Sequence, residues 1–449
     1  MTEAAAAAPM AAPSSWLNAT LNGPGDWKLR GLIPHLFGLM MLFDSWDSVV
    51  ISFTLPSIAK AWMLDPVKSG ELISAGYAGQ LVGAIAMGAV AEAKGRLPVL
   101  RPLVIGMGLL AIVCGLTQTF GQLVAVRLLQ GFCIGGALPV AISYVNEVAP
   151  AATRGRFFGT YQFLMLAGFG LASLSSAYIV PAFGWRPMYM LGALPLLLTP
   201  MLFRIPESPR WLAAHGQVQA AVEALRRLGG NPAEKDAAAA PPTPKAPPAS
   251  VLLSPRLRRL TFVTSLLWLL TSLVSFGLVT WVPSIYVSNF HIPLAKALQF
   301  NALGSIFIFF VPLVLRQILD KVGRRPPVIL GTALGGAALL ALTQVGHGGP
   351  EWLIVTLTII GSIGGSIGSM VLWPYTSEVY ETSVRATALG FSSSLARAAS
   401  MSTPLIVGLL LASTGSIGPV FLIFGLSAAT VALLWFFATK ETAGKEIDA

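Results

Sequence analysis

Long apolar stretches separated by short polar segments run through almost the whole chain. Twelve of these stretches are long enough to cross the hydrocarbon core of a bilayer, about 30 Å thick, as an α-helix. They do not show the alternation of short strands that indicates a β-barrel. We therefore predict an all-α membrane protein with twelve transmembrane helices, at residues 31–57, 69–91, 102–118, 122–148, 157–180, 185–204, 260–288, 297–315, 328–346, 351–377, 386–412 and 417–438.

The composition agrees with a protein whose main partner is the lipid bilayer. Of 449 residues, 55% are hydrophobic and only 11% are charged, which is far more apolar than a soluble protein of this length. The longest polar interruption follows the sixth stretch and divides the helices six and six. The predicted organisation is a tail at 1–30, a first half at 31–204, a linker at 205–259, a second half at 260–438 and a tail at 439–449.

The net charge of +10 is distributed unevenly between the loops. With loops assigned alternately to the two sides, 23 of the 29 Lys and Arg residues lie on the side of both termini and 4 on the other. The remaining two, Arg127 and Arg397, lie within apolar stretches. Basic loops stay on the cytoplasmic side, so we expect a multi-pass protein of the bacterial inner membrane with both termini in the cytoplasm. No nucleic-acid partner is needed to explain the charge.

A repeated motif indicates that the two halves are homologous. Glu147 precedes Arg154 by seven residues at the end of the fourth predicted helix, and Glu378 precedes Arg385 by the same spacing at the end of the tenth. The two copies are 231 residues apart. Parallel repeats of this kind are typical of secondary transporters, whose substrate site lies between the halves.

The loops after the second and eighth helices share a further pattern, an acid followed by two residues, glycine and arginine, at Glu92 to Arg96 and Asp320 to Arg324. This pattern resembles the signature loop of the major facilitator superfamily. Residues 206–211 are similar to the segment after the sixth helix of its sugar porters and organic-ion transporters. The resemblance spans the chain and implies two pseudo-symmetric six-helix halves. It also implies gating or structural roles at the cytoplasmic helix ends for Glu92, Arg96, Glu147, Arg154, Asp320, Arg324, Glu378 and Arg385. Among these, Glu147 with Arg154 and Glu378 with Arg385 are expected to form gate pairs.

Two carboxylates lie in the middle of the first predicted helix. At about 1.5 Å per residue, Asp44 is roughly 20 Å from the helix start near Gly31, close to the bilayer midplane. Asp47 follows at i+3 and shares the same face of the helix. A carboxylate at that depth is strongly unfavourable unless it is protonated, paired or in contact with water. We expect the two acids to load and release the transported proton.

The segment Asp44-Ser45-Trp46-Asp47 resembles the Asp-Gly-Tyr-Asp or Asp-Gly-Phe-Asp stretch of the aromatic acid:proton symporter family, with Ser45 in place of the glycine. The resemblance implies uptake of an aromatic or related monocarboxylate together with a proton. Depth in the membrane favours Asp44 as the proton carrier, with Asp47 as the other candidate. The alternative for each acid is a structural role, as a cap at a helix break or as the partner of a basic residue.

The two arginines within apolar stretches are candidate ligands for an anion. Arg397 lies near the midplane in the eleventh helix and resembles an arginine that organic-anion transporters carry there. A guanidinium stays charged and matches the shape of a carboxylate. Neutralisation of Asp44 or Asp47 is the other role open to Arg397. Arg127, near the start of the fourth helix, can pair with an acid of the first helix or attract the incoming anion.

Aromatic side chains that can stack on a planar substrate are Trp46, Tyr77, Tyr144, Tyr161, Trp268, Phe276, Trp281, Trp373 and Tyr375. We predict that Trp46, Tyr144, Trp373 and Tyr375 contribute to the substrate site, and the alternative for each is packing against lipid or other helices. Trp373 and Tyr375 flank Pro374, which we expect to break the tenth helix where the halves meet.

The predicted function is secondary active transport, in which a monomer without a cofactor takes up a small organic anion with a proton by alternating access. A drug or organic-cation exporter would use Asp44 and Asp47 as counter-charges, but the fifth helix lacks the internal proline of the antiporter signature. A sugar facilitator does not require the central charges. Catalysis is not expected, because the sequence has no phosphate-binding loop and its four histidines lack metal-ligand spacing.

Overall fold

A computed structural model of the chain describes residues 15–232, 247–345 and 349–442, apart from the side chains of Ser15, Asp320 and Thr382. Within these ranges the secondary structure is helical, and eleven helices are long and apolar enough to cross a membrane. They are α2 (Lys28–Trp62), α3 (Pro66–Lys94), α4 (Arg96–Leu116), α5 (Phe120–Val148), α6 (Arg154–Phe183), α11 (Arg258–Ser288), α12 (Leu294–Val322), α13 (Arg325–Leu342), α14 (Glu351–Val379), α15 (Thr382–Thr414) and α16 (Gly418–Phe437). Shorter helices are α1 (Ser15–Asn22), α7 (Arg186–Met190), α8 (Thr199–Arg204), α9 (Pro209–Ala214) and α10 (Val218–Leu228).

The sixth crossing is not the single helix predicted at 185–204. It consists of α7, a 3₁₀-helix at Leu191–Leu198, and α8. Three prolines, Pro187, Pro195 and Pro200, lack the N–H groups that a continuous α-helix needs, which explains the division. The segment still runs antiparallel to α4, because Arg186 binds the carbonyl of Thr117 at the end of α4, and Arg101 near its start binds the carbonyl of Ile205.

Two prolines within long helices do not end them. Helix α2 continues through Pro34 and Pro56 and exceeds the predicted range 31–57 at both ends. Helix α14 likewise continues through Pro374 to Val379, so the predicted break at Pro374 is wrong. A proline removes one backbone hydrogen bond, and in a packed membrane helix neighbouring groups compensate for that loss.

The packing of apolar side chains shows where the halves meet. We call the end of the bundle at which α2 begins and α16 ends the terminal face, and the opposite end the far face. Towards the far face, one apolar cluster contains residues of both halves, such as Val50 and Leu278. Towards the terminal face, the clusters around Phe37 and around Tyr375 each belong to one half. The halves are therefore joined at the far face.

Close backbone contact between α3 and α15 makes this junction tight. A Cβ atom added to Gly70 would lie 3.1 Å from the Cα of Leu405, and one added to Gly408 would lie 3.4 Å from the Cα of Val67. Only glycine permits the helices to approach this closely. The far face is closed between the halves in this conformation.

A small helical cluster covers the terminal face of the first half. Helix α1, which lies within the predicted tail, packs its Trp16 and Leu17 against Trp211 of α9 and Leu225 of α10. Arg210 also donates a hydrogen bond to the side-chain oxygen of Asn18 at 2.9 Å. These contacts connect α1 to the linker that follows the sixth crossing.

Candidate functional site

The charged residues at the terminal end of the first half form a compact network around Arg96. Its guanidinium donates to Glu147 at 2.9 and 3.1 Å and to Glu92 at 2.8 Å. The expected pairing of Glu147 with Arg154 is therefore wrong, since the carboxylate of Glu147 is bound by Arg96 from the adjacent loop, and Arg154 is exposed. The sequence spacing places Glu147 and Arg154 at the same helix end, but the folded loop before α4 brings Arg96 closer to Glu147.

The second half repeats this network. Arg324 donates to Glu378 at 3.0 Å, and the hydroxyl of Thr442 donates to the other oxygen of Glu378. Glu378 thus pairs with Arg324 rather than with the predicted Arg385. The side chain of Asp320, the acid predicted for this loop, lies outside the described residues. Helix-end acids and loop arginines therefore pair in the same way in both halves.

Two further carboxylates bind the backbone at the helix starts beside these networks. The carboxylate of Glu207 accepts from the backbone N–H of Leu97 at the start of α4, and that of Glu441 accepts from the N–H groups of Arg324 and Arg325 at the start of α13. A carboxylate at a helix N-terminus binds free N–H groups and favours the helix dipole. This role was not predicted from the sequence, although Glu207 and Glu441 are 234 residues apart, close to the spacing of the repeat.

Glycines with positive φ make room for these carboxylates. Gly95 (φ 103°) and Gly323 (φ 95°) occupy equivalent positions before the two arginines. A Cβ at Gly95 would lie 2.7 Å from a carboxylate oxygen of Glu207, and one at Gly323 would lie 2.6 Å from Glu441. Both the backbone conformation and the close contact require glycine.

Asp47 lies in the interior of the first half and not between the halves. Its side chain is fully buried, and neither carboxylate oxygen has a hydrogen-bond partner among the described residues. The guanidinium of Arg127 donates instead to the backbone carbonyl of Asp47 and to the side chain of Gln130, both at 3.0 Å. Gly192, at the start of the 3₁₀ segment, leaves the space that the Asp47 carboxylate occupies. The broken sixth crossing thus contacts a buried acid.

Arg127 is equally enclosed. Only 2% of its surface is exposed, and Tyr189 of α7 places its ring 5.7 Å from the guanidinium carbon. Gly76 of α3 packs against Nη2 of the Arg127 guanidinium, because a Cβ atom added to Gly76 would lie 3.0 Å from that nitrogen. Arg127 therefore belongs to a polar centre with Asp47 and Gln130, but it binds the backbone of Asp47 and not the carboxylate, so its pairing with an acid of the first helix stays a prediction. Gln130 was not singled out from the sequence, because a lone glutamine carries no recognisable pattern.

Asp44 and Arg397 are two charged groups at the interface between the halves. They lie within electrostatic range of each other, on α2 and α15. The Oδ1 atom of Asp44 is buried without a partner. The half-buried guanidinium of Arg397 forms no hydrogen bond and no ion pair with any residue that the structure describes. The two charges face a common region without direct contact.

Tyr161 of α6 lies beside this region. Its ring is buried, its hydroxyl has no hydrogen-bond partner among the described residues, and it is within electrostatic range of Asp44. Gly168 brings α6 against α2, because a Cβ there would lie 3.0 Å from the Cα of Leu42. Across the interface, the rings of Tyr77 and Phe276 meet edge to face at 5.7 Å.

The four aromatic residues predicted to contact substrate are separated in the fold. Trp46 donates its indole N–H to the carbonyl of Met188 in α7, at 3.0 Å. Tyr144, near the terminal face, donates its hydroxyl to the carbonyl of Pro206 at 2.6 Å. Trp373 is 52% exposed, and Tyr375 is buried beside another ring. Among the described residues, none of the four forms a hydrogen bond or ring contact with Arg397, and their substrate role stays a prediction.

Comparison with known proteins agrees with this architecture. A family model described as "Major Facilitator Superfamily" matches residues 37–401 and 318–449. The niacin transporter NiaP of Acinetobacter baylyi is 27% identical over 94% of this chain and 96% of its own length. The gallate transporter of Pseudomonas putida is 29% identical over 90% of each chain. The solved xylose transporter XylE of E. coli, in an inward-open conformation, has a TM-score of 0.73 and 18% identity, covering 93% of this chain and 98% of that chain.

These matches confirm the predicted all-α fold of two six-helix halves and the prediction that the chain is not an enzyme. The two curated relatives are named as transporters of aromatic acids, while the solved structure, at 18% identity, supports the fold alone. The family match covers most of the chain. The chain belongs to the major facilitator superfamily and is a multi-pass membrane transporter.

Proposed function

We propose that this protein is a proton-coupled symporter that imports the anion of a small aromatic or related monocarboxylic acid. The observation that carries the proposal is Arg397, a cation at the interface of the halves that no described side chain neutralises by direct contact. A cation without a bound carboxylate in this position can bind one from a substrate. The aromatic acids named for the relatives give the class of anion.

The guanidinium of Arg397 suits this role because it offers two parallel N–H donors to a carboxylate and remains charged at any working pH. Aromatic rings at the same interface, such as the Tyr77 and Phe276 pair, offer apolar surface to a planar substrate. A neutral sugar has no group that requires a fixed cation, and an organic cation would be repelled by it.

Coupling to a proton follows from the position of Asp44. The positive charge of Arg397 lies within electrostatic range of Asp44. An anion bound to Arg397 cancels that charge and adds its own, so Asp44 then binds a proton more readily. By thermodynamic linkage, a proton on Asp44 strengthens anion binding by the same factor.

Asp47 and Arg127 form the second protonation centre of the proposal. Both carboxylate oxygens of Asp47 are fully buried and have no hydrogen-bond partner among the described residues. Arg127 and Gly192 connect this acid to α5 and to the sixth crossing. A change of protonation at Asp47 can therefore alter the packing of that crossing.

The direction of opening follows from the packing and the charge of the loops. The halves are joined at the far face, and the basic loops of the terminal face mark it as cytoplasmic. The conformation is then inward-facing, in a bacterial inner membrane. The networks of Arg96 and Arg324 lie where the halves must come together when the transporter opens outwards.

The test is uptake of radiolabelled benzoate into proteoliposomes with an imposed pH gradient. We expect accumulation that a proton uncoupler abolishes, and competition by nicotinate and gallate but not by benzamide, xylose or tetraphenylphosphonium. Arg397→Lys serves as the matched variant that keeps the charge and loses the paired donors. Accumulation that is insensitive to the uncoupler would contradict proton coupling. Competition by xylose or by the organic cation would contradict the proposed class of substrate.

A further inference from the structure

Three arginines come together where the sixth crossing ends at the terminal face. Arg227 of α10 donates a hydrogen bond to the backbone carbonyl of Arg204, the last residue of α8, at 2.8 Å. Arg101 of α4 donates to the carbonyl of the next residue, Ile205, at 3.0 Å. Because consecutive Cα atoms are only about 3.8 Å apart, these contacts hold both guanidinium groups beside Arg204. We call Arg101, Arg204 and Arg227 the arginine cluster.

The arginine cluster keeps hydrogen-bond donors that no described residue binds. Arg204 and Arg227 are exposed, and the side chain of Arg204 forms no hydrogen bond or ion pair in the described part of the chain. Nη1 of Arg101 also has no partner, and it is not enclosed by protein, in contrast to the buried Nε of the same side chain. Each of the three side chains can therefore reach an acceptor outside the protein.

The nearby carboxylates do not neutralise the arginine cluster by direct contact. Glu147 is bound by Arg96, and Glu207 accepts from backbone N–H groups at the starts of α4 and α9. Glu223 lies one helical turn before Arg227 and is exposed, but it forms no ion pair with any residue that the structure describes. The positive charge of the cluster is therefore available to an external anion.

The apolar surface beside the arginine cluster indicates that it lies at the edge of the membrane. Leu194, Leu197 and Phe203 of the sixth crossing are exposed, and such apolar surface on a transmembrane segment faces lipid. This apolar surface ends at Arg204. The guanidinium of Arg101 lies over the Phe203 ring, with 5.0 Å between Cζ and the ring centroid. Arginines at the end of a lipid-facing surface are at the depth of the phospholipid headgroups.

We propose that the arginine cluster binds the headgroup of an anionic phospholipid, whose acyl chains lie against the exposed apolar side chains of the sixth crossing. A phosphate offers several acceptor oxygens, which guanidinium groups bind in pairs. Cardiolipin fits best, because its two phosphates can contact guanidinium groups that come from three different helices. A bound headgroup joins α4, α8 and α10, and so holds the linker helix α10 against the first half. This site is independent of the anion that the protein transports.

The experiment measures binding of a fluorescent cardiolipin to the purified full-length protein in detergent by microscale thermophoresis. Arg204→Gln is the most informative variant, because the Arg204 side chain has no described partner and its loss breaks no contact among the described residues. Arg156→Gln is the matched control. Arg156 is also an exposed arginine of the terminal face, near the start of α6, and its side chain has no partner in the described part of the chain.

We expect unlabelled cardiolipin to compete for binding to the wild type and zwitterionic phosphatidylcholine not to compete. Loss of one basic side chain from an anionic headgroup corresponds to about a fivefold change in affinity, so Arg204→Gln should weaken cardiolipin binding about fivefold. The double variant Arg204→Gln/Arg227→Gln should weaken it about 25-fold if the two contacts add. Arg156→Gln should bind cardiolipin as the wild type does.

Three results would overturn the proposal. Competition by phosphatidylcholine would show that the headgroup charge is not recognised. An equal loss of affinity in Arg204→Gln and Arg156→Gln, or no loss in either, would show that the arginine cluster is not a specific site. Displacement of cardiolipin by inorganic phosphate, beyond the effect of sodium chloride at the same ionic strength, would identify a soluble anion as the ligand in place of a lipid.

Discussion

Replacement of Arg397 separates a ligand-binding role from a structural one. Because its guanidinium forms no hydrogen bond or ion pair with any described residue, Arg397→Ala leaves no protein group without a direct partner. The variant also removes a half-buried cation, which is unfavourable to bury. We therefore expect its melting temperature, measured without ligand, to equal or exceed that of the wild type.

Ligand binding should respond in the opposite way. A carboxylate held by two charge-assisted hydrogen bonds gains about 1.5–3 kcal/mol from each. At 1.4 kcal/mol per tenfold change, Arg397→Ala should weaken benzoate binding roughly 100- to 10,000-fold. Arg397→Lys keeps the charge but loses the paired geometry, so we expect a loss of about tenfold.

The assay is a thermal-shift titration of the purified protein with benzoate, using benzamide as the uncharged control. The wild type and Arg397→Lys should be stabilised by benzoate at different concentrations, and Arg397→Ala should not respond in the same range. A ligand-free melting temperature that falls in Arg397→Ala, with benzoate stabilisation unchanged, would show that Arg397 is a structural counter-charge to Asp44 and would refute the reasoning.

Two further predictions concern the helix ends and the sixth crossing. Arg96→Ala leaves the largely buried Glu147 without its partner, so unfolding should become easier by about 3 kcal/mol, seen as a lower melting temperature; an unchanged value would contradict the role of this ion pair. Gly192→Ala adds a Cβ atom 2.8 Å from Cγ of Asp47 and should greatly reduce proton-driven benzoate accumulation. Its control is Gly170→Ala, where a Cβ meets no atom within 4 Å, and equal accumulation in both variants would exclude a role for the packing of Asp47.

Much of the fold could be predicted from the sequence because hydrophobicity over about 20 residues decides whether a segment crosses the membrane. That rule located the crossings, while the depth of Asp44 and Arg397 in the membrane stays a prediction. Average hydrophobicity carries no information about backbone hydrogen bonds, so it did not predict the division of the sixth crossing at Pro187, Pro195 and Pro200.

Side-chain partners were harder to predict. Helical spacing placed Asp44 and Asp47 on one face, but their three-residue separation rotates them enough for Asp44 to meet the other half and Asp47 to meet Arg127. Trp46 was predicted to contact substrate, and only the position of Met188 shows where its N–H is bound. Such contacts join segments that are far apart in the chain, so they cannot be predicted from the pattern of residues within one segment.

The central claim is that anion binding at Arg397 and proton binding at Asp44 are linked. The most direct measurement is calorimetry of benzoate binding to the purified protein, in pairs of buffers with different ionisation enthalpies and over a range of pH. We predict net uptake of a proton on binding by the wild type, with an affinity that falls by up to about tenfold for each unit rise in pH. Asp44→Asn should bind benzoate without that linked proton. Binding without proton uptake in the wild type, or with the same uptake in Asp44→Asn, would contradict the mechanism.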